Sequence, residues 1–241
     1  MLQGSPRLTA RVAGVFEVLE GAGSVFGQMI VPGMLVVGRD AAATANNILA
    51  NEALYRLGIA VSLMAVVFHV VWGLLLYDLL RVVNRTVASF SLLMLVVGAC
   101  LQAVTGLLLL GPLVVLSAGD ALAGFTSDQL HAQAFVFLRL NTQAYDVFLA
   151  FFGVWLAAIG YLIFRSTFLP RAIGAGLILE GLGWMAYFSP PLGVALFPVT
   201  VFFGLFGELP LIAWLLIKGV NAERWKAQAA LSGHVRVGDA G

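Results

Sequence analysis

The sequence predicts an all-α, polytopic membrane helical bundle of about six transmembrane helices, with both termini cytoplasmic and one or two interfacial helices on the outer side. Three observations predict it. Hydrophobic residues make up 61% of the chain and charged residues only 10%, at a mean hydropathy of +1.00. A soluble domain is about one-quarter charged and needs that charge to cover its surface. Six segments approach the ~20 apolar residues that cross a bilayer with every backbone group bonded internally. The lysines and arginines then fall mostly on one side of the arrangement those segments create.

The six segments run approximately over residues 12–37, 57–80, 87–110, 144–164, 172–188 and 192–217. The first contains Glu17 and Glu20, which the short core of a cleaved leader does not carry, so it reads as a permanent span. The fifth is the shortest, held between Arg171 and the Ser189-Pro190-Pro191 reversal. With six crossings, one side collects Arg7, Arg11, Arg81, Arg85, Arg165, Arg171, Lys218, Arg224, Lys226 and Arg236, and the other only Arg39, Arg56 and Arg139. The positive-inside rule makes the first side cytoplasmic and the chain a multi-pass protein of the cell (inner) membrane. Merging the fifth and sixth segments moves the C-terminal basic cluster to the wrong side.

Two outer connections read as helical. Asp40 stands before an alanine-rich run as an N-cap, and Ser127 is a second cap candidate for a helix that continues through Phe135 and Phe137 into span four. His131 falls in that outer connection. Residues 1–220 read as a single transmembrane domain. Residues 221–241 read as a short polar cytoplasmic tail, with Trp225 beside Arg224 and Lys226, forming a brief interfacial helix before disorder.

Several function classes are excluded. No basic run with interleaved aromatics marks a nucleic-acid partner, and no phosphate-binding glycine loop, nucleophile elbow or zinc-protease motif is present. The single cysteine, Cys100, reads as a small packing residue. No catalytic constellation is present, which leans away from an enzyme, and the cofactor is not legible. The partners expected are the lipid bilayer and a small-molecule or ion ligand; oligomeric state is not legible.

Charge inside the membrane is costly, at least ~2.5–3.5 kcal/mol per group on insertion scales. Glu17, Glu20, His69, Glu180 and Glu208 all lie within predicted spans. At ~1.5 Å per residue, Glu20 lies about 13 Å from Arg11, Glu180 about 13 Å from Arg171, Glu208 about 15 Å from Lys218 and His69 about 18 Å from Arg81. Four spans thus place an ionisable group near one level. Glu17 sits one turn away on the face of Glu20. Three readings fit: a proton relay or ligand site, a divalent-metal site on facing helices, and hydrogen-bonded glue between helices. They correspond to a small transporter or ligand-binding membrane protein, a membrane-embedded metalloenzyme, and an accessory or structural protein.

Helix breakers fall nearby. Gly207 and Pro210 flank Glu208, Pro32-Gly33 interrupts span one, and Pro112 closes span three. Gly174, Gly176, Gly181 and Gly183 in span five, with Gly14, Gly21, Gly23 and Gly27 in span one, mark close helix packing. Asp78, one turn from Arg81, reads as a boundary ion pair.

Certain stretches are similar to a known family. They are Arg11-Val12-Ala13-Gly14; Val31-Pro32-Gly33 leading through Asp40 to Tyr55-Arg56-Leu57-Gly58; and Leu80-Arg81-Val82-Val83-Asn84-Arg85. Gly160 to Ser166 with Phe168-Leu169-Pro170-Arg171, and Gly207-Glu208 with Trp214 to Val220, complete the set. Over most of its length the chain resembles the bacterial multi-pass membrane family called domain of unknown function 4386. The resemblance implies the topology and no activity. It also implies a proline where this chain has Val83 and an arginine near Leu95, so one candidate counter-ion for the buried acids is missing here.

Overall fold

A computed structural model describes the backbone of residues 5–238 and the side chains of residues 5–232. The helices are α1 (Pro6–Val25), a π-helical turn (Phe26–Ile30) and α2 (Val31–Leu35), then α3 (Ala41–Ala50), α4 (Glu52–Leu80), α5 (Arg85–Leu116) and α6 (Ser127–Arg165). They continue as α7 (Arg171–Met185), α8 (Pro190–Gly204), α9 (Glu208–Ile217) and α10 (Ala222–Gly238). Among the described residues, five stretches are long and apolar enough to cross a membrane: Pro6–Leu35, Glu52–Leu80, Arg85–Leu116, Ser127–Arg165 and Pro190–Ile217. The fifth predicted segment is α7, extended by a 3-10 turn over Ala186–Phe188.

Several elements end where their sequences dictate. Asp40 caps α3 by accepting from the Ala43 N–H at 2.9 Å, and Asn84 caps α5 by accepting from the Val87 N–H at 3.1 Å. The cap of α6 is Thr126, not Ser127. Thr126 and Gln129 bond reciprocally, side chain to backbone, at 2.9 and 3.3 Å, a capping box one residue earlier than expected. His131 therefore belongs to α6 and not to a loop. At Gly219 the chain takes a positive φ of 65°, which lets it leave α9 and enter α10.

The prolines act differently from expectation. Pro32 does not interrupt span one. It follows directly on a π turn, in which the Val31 N–H reaches back to the Phe26 C=O. Pro112 lies inside α5, which runs on to Leu116. Cys100 is exposed, so it is not a packing residue of the interior.

The chain groups into two compact units. The first comprises Met1–Val18, Phe68–Gly98 and Val147–Gly241. Its core gathers Trp72, Leu76, Trp155, Leu156, Ile159, Leu177 and Leu211, among others. Within it, α7 runs antiparallel to α6. A Cβ at Gly174 would lie 2.5 Å from the Phe164 backbone N, and one at Gly181 would lie 2.7 Å from the Gly153 O. The opposite face of α7 meets the last span with the same economy: a Cβ at Gly176 would lie 2.5 Å from the Phe206 O. Helix α10 is docked in this unit. The Trp225 Nε1–H donates to the Leu79 C=O at 2.8 Å, and the Gln228 side-chain oxygen accepts from the Thr167 backbone N–H and hydroxyl, both at 3.0 Å. The disorder expected at the end of the tail falls outside the described residues.

The second unit comprises Leu19–Val67 and Ala99–Asp146. Its core is Val31, Leu35, Ile48, Tyr55, Ile59, Leu109, Leu113 and Leu138. The Tyr55 hydroxyl donates to the Leu109 C=O at 2.8 Å, within a turn of Pro112, where the helix ladder is weakened.

Gly174→Ala should destabilise the protein by about 1–3 kcal/mol through overpacking, read as a lower thermal midpoint in detergent. Gly21→Ala, with nothing within 4 Å of the added carbon, should be neutral or stabilising through its better helix propensity. Equal effects of the two changes would contradict backbone contact at Gly174.

Candidate functional site

The last span is broken in the middle. The Phe206 and Gly207 N–H groups both turn onto the Phe203 C=O, at 2.9 and 3.0 Å, and the ladder resumes only where the Leu211 N–H meets the Gly207 C=O at 3.0 Å. Pro210 has no N–H with which to bond the Phe206 C=O. Glu208 is the first residue of the helix that restarts, and it is half-buried.

Glu180, on α7, is 2% exposed and faces this break. A Cβ at Gly204 would lie 2.9 Å from its Oε1, and one at Gly207 would lie 3.0 Å from its Oε2. Only glycine at these positions lets the carboxyl rest against the interrupted backbone. The Trp184 Nε1–H donates to Oε1 at 3.3 Å. Glu208 adds its backbone N–H and its own carboxyl to the surroundings of Glu180, while no hydrogen bond of ordinary geometry closes on Oε2.

His69 belongs to the same unit and is 1% exposed. Four aromatic rings surround it: Trp155 at 5.2 Å, Trp72 at 5.6 Å, Phe152 at 5.8 Å and Phe148 at 6.2 Å between centroids. Phe152 also lies 6.4 Å from Trp184. A chain of ring contacts therefore joins the imidazole, through Phe152, to the indole that bonds Glu180. Glu17 is buried in this unit too, at 2% exposure.

Glu20 falls in the second unit, where it accepts from the Ser24 hydroxyl at 2.8 Å. Of the five residues singled out by charge, the structure brings Glu180 and Glu208 together directly. Among the described residues, no three His, Cys, Asp or Glu side chains group closely enough to hold a metal ion. Asp78 and Arg81 form the expected ion pair at 3.0 Å.

A search by charge overlooks the uncharged polar residues of the second unit. Gln28, Ser62, Gln102, Thr105 and Asn141 are linked to one another and to Ser24 by hydrogen bonds. One signal for them was visible: Glu20, Ser24 and Gln28 recur every four residues, which places them along one helical face.

The family model described as a domain of unknown function, DUF4386, matches residues 12–219. A protein of Archaeoglobus fulgidus named "Uncharacterized protein" is 31% identical over 75 residues, which cover 31% of this chain and 45% of that one. The match thus spans less than half of the relative's own length. No solved structure matches the chain.

A double-mutant cycle of Trp184→Phe and Glu180→Leu should show a coupling of about 1–2 kcal/mol in thermal stability, the worth of a hydrogen bond to a carboxyl. Strict additivity would mean that the indole does not hold Glu180 in place.

Proposed function

The chain belongs to the DUF4386 family of membrane proteins, and we propose that it is a small transporter or ligand-binding membrane protein whose protonatable centre is the Glu180–Glu208 pair. One observation carries this reading: a buried carboxyl laid against the mid-span break of a membrane helix, with a second carboxyl at the start of the resumed helix. Irregular backbone at membrane depth is tolerated where it is enclosed by protein or lines a cavity, and such breaks form ion and substrate sites in transporters. Two neighbouring carboxyls cannot both hold negative charge cheaply in such surroundings, so the pair keeps a proton or takes a cation. Proton exchange at this pair is the elementary step the arrangement supports. His69, in the same unit, is the proposed proton partner of the pair; the Phe152 ring packed between it and Trp184 encloses the imidazole and carries no proton itself. Glu17 and Glu20 are further acids of the same class.

A second reading has its own support. The Trp184–Glu180 bond joins two turns of one helix, and Gly176, Gly204 and Gly207 pack the last span onto α7. The acids then specify helix packing and carry nothing. Proteoliposomes with a trapped pH dye and an imposed potential separate the two. Glu180→Gln and Glu208→Gln should each lower proton flux at least about tenfold, the loss expected for an essential relay group, with an unchanged thermal midpoint. Unchanged flux combined with a lowered midpoint would assign the pair to packing instead.

We propose further that the N-terminus is cytoplasmic and the protein lies in a bacterial cell membrane, which the lysine and arginine distribution supports. In a Cys100→Ser background, a membrane-impermeant maleimide added to whole cells should label Ser127→Cys and spare Ser5→Cys. The reverse pattern would invert the topology.

A further inference from the structure

The second unit contains a buried polar track. Glu20, Ser24 and Gln28 lie along one face of the first span, and Gln28 sits inside the π turn Phe26–Ile30, a distortion frequent at functional sites. Its amide bonds two other helices, donating to Ser62 Oγ on α4 at 2.9 Å and to Thr105 Oγ1 on α5 at 3.1 Å. The Thr105 hydroxyl donates to the Gln102 C=O at 2.7 Å, and the Thr105 C=O accepts from Asn141 Nδ2 on α6 at 2.9 Å. The Gln102 side-chain Nε2 donates to Ser24 Oγ at 3.2 Å, and Ser24 in turn donates to Glu20.

A cavity of about 180 Å³ adjoins this track, bounded by Gln28, Leu109, Phe135, Arg139, Asn141 and Thr142 among others. It far exceeds the ~10–15 Å³ that one water needs by this measure, so it admits several waters or one small solute. The bonds already made define the unused hydrogen-bonding capacity that faces it. Gln28 spends both amide hydrogens on Ser62 and Thr105, which leaves its Oε1 as an acceptor. Asn141 spends one hydrogen, which leaves one donor and its Oδ1. The Thr142 hydroxyl is turned back onto the Leu138 C=O. Arg139 lies over the Phe135 ring at 6.0 Å, and among the described residues no carboxylate lines the space. Gln102, elsewhere in the track and outside the cavity lining, is 1% exposed, and its Oε1 finds no hydrogen-bond partner among the described residues.

We propose that this cavity, with the Gln28 and Asn141 amides that line it, binds a small uncharged solute of the polyol class. A cation would face the Arg139 guanidinium with no carboxylate to balance it. An anion would face the lone pairs of Gln28 Oε1 and Asn141 Oδ1. A hydroxyl group both donates and accepts, so a molecule carrying several of them answers both amide oxygens while accepting from Asn141 and Arg139. A simple amide has several donors and a single acceptor oxygen and matches the set less fully. The inference uses the second unit alone and does not depend on the role of Glu180 and Glu208.

Saturation-transfer NMR on the full chain in nanodiscs, with buffers free of glycerol, tests it. Glycerol, acetate and methylammonium serve as probes of similar size and different charge. The expected result is a saturable glycerol signal in the millimolar range, with neither ion competing. Gln28→Met, which keeps side-chain volume and removes the amide, should weaken it at least tenfold. Thr142→Trp, at an exposed lining position, should abolish it by filling the space while leaving the amide track intact, and Glu180→Gln should leave it unchanged. The inference is overturned by absence of a glycerol signal, by preference for acetate or methylammonium, or by a glycerol signal that survives Thr142→Trp in a protein of unchanged thermal midpoint.

Discussion

The first unit depends on direct contact between the backbones of α7 and its neighbours. Lipid tails solvate an apolar helix as well as another apolar helix does, so helices in a membrane associate through close packing and polar contacts and not through expulsion of water. Helix α7 meets that requirement on two faces. Gly174 and Gly181, seven residues apart, open one face to α6, while Gly176 and Gly183, also seven apart, open the other to the last span. The second contact sets the chemistry. Because Gly204 and Gly207 present bare backbone to α7, the Glu180 carboxyl occupies space that a side chain would fill at any other residue. Packing and the placement of the acid are one arrangement, and altering the first alters the second.

Much of this frame was legible in the sequence, because each legible feature is local. The apolar runs gave the long helices, Asp40 the start of α3, and Asp78 with Arg81 an ion pair one turn apart. The paired glycine spacing in span five was visible as well. The effects of the prolines were not. A proline removes one N–H, but the response of the helix depends on which group takes up the stranded carbonyl or how the turn relaxes. In span one Pro32 follows a π turn, and α5 passes through Pro112 with Tyr55 bonded close by. Neither response is written at the proline itself. The docking of α10 was hidden for a related reason: its composition is that of a free polar tail, whereas Trp225 and Gln228 bond residues far away in sequence.

The candidate site shows the same division. The rise per residue lets the sequence place each acid along its own helix, as an expectation of depth. Which helix faces which could not be read there, and the meeting of Glu180 with Glu208 required it. The aromatic stripe Phe148, Phe152 and Trp155 has helical spacing, and so does Trp72 relative to His69, yet only the fold closes them into a box.

The uncharged residues were missed for a different reason, which concerns what each group costs in a membrane. A charged side chain stands out because insertion scales penalise it by ~2.5–3.5 kcal/mol, whereas a glutamine attracts less notice. The amide is nevertheless the stricter constraint. A carboxyl in an apolar setting can take up a proton and so shed its charge. An amide has no such escape, because its two N–H groups and its carbonyl require partners at every pH. That is why Gln28 draws hydroxyls from two further helices, Ser62 on α4 and Thr105 on α5.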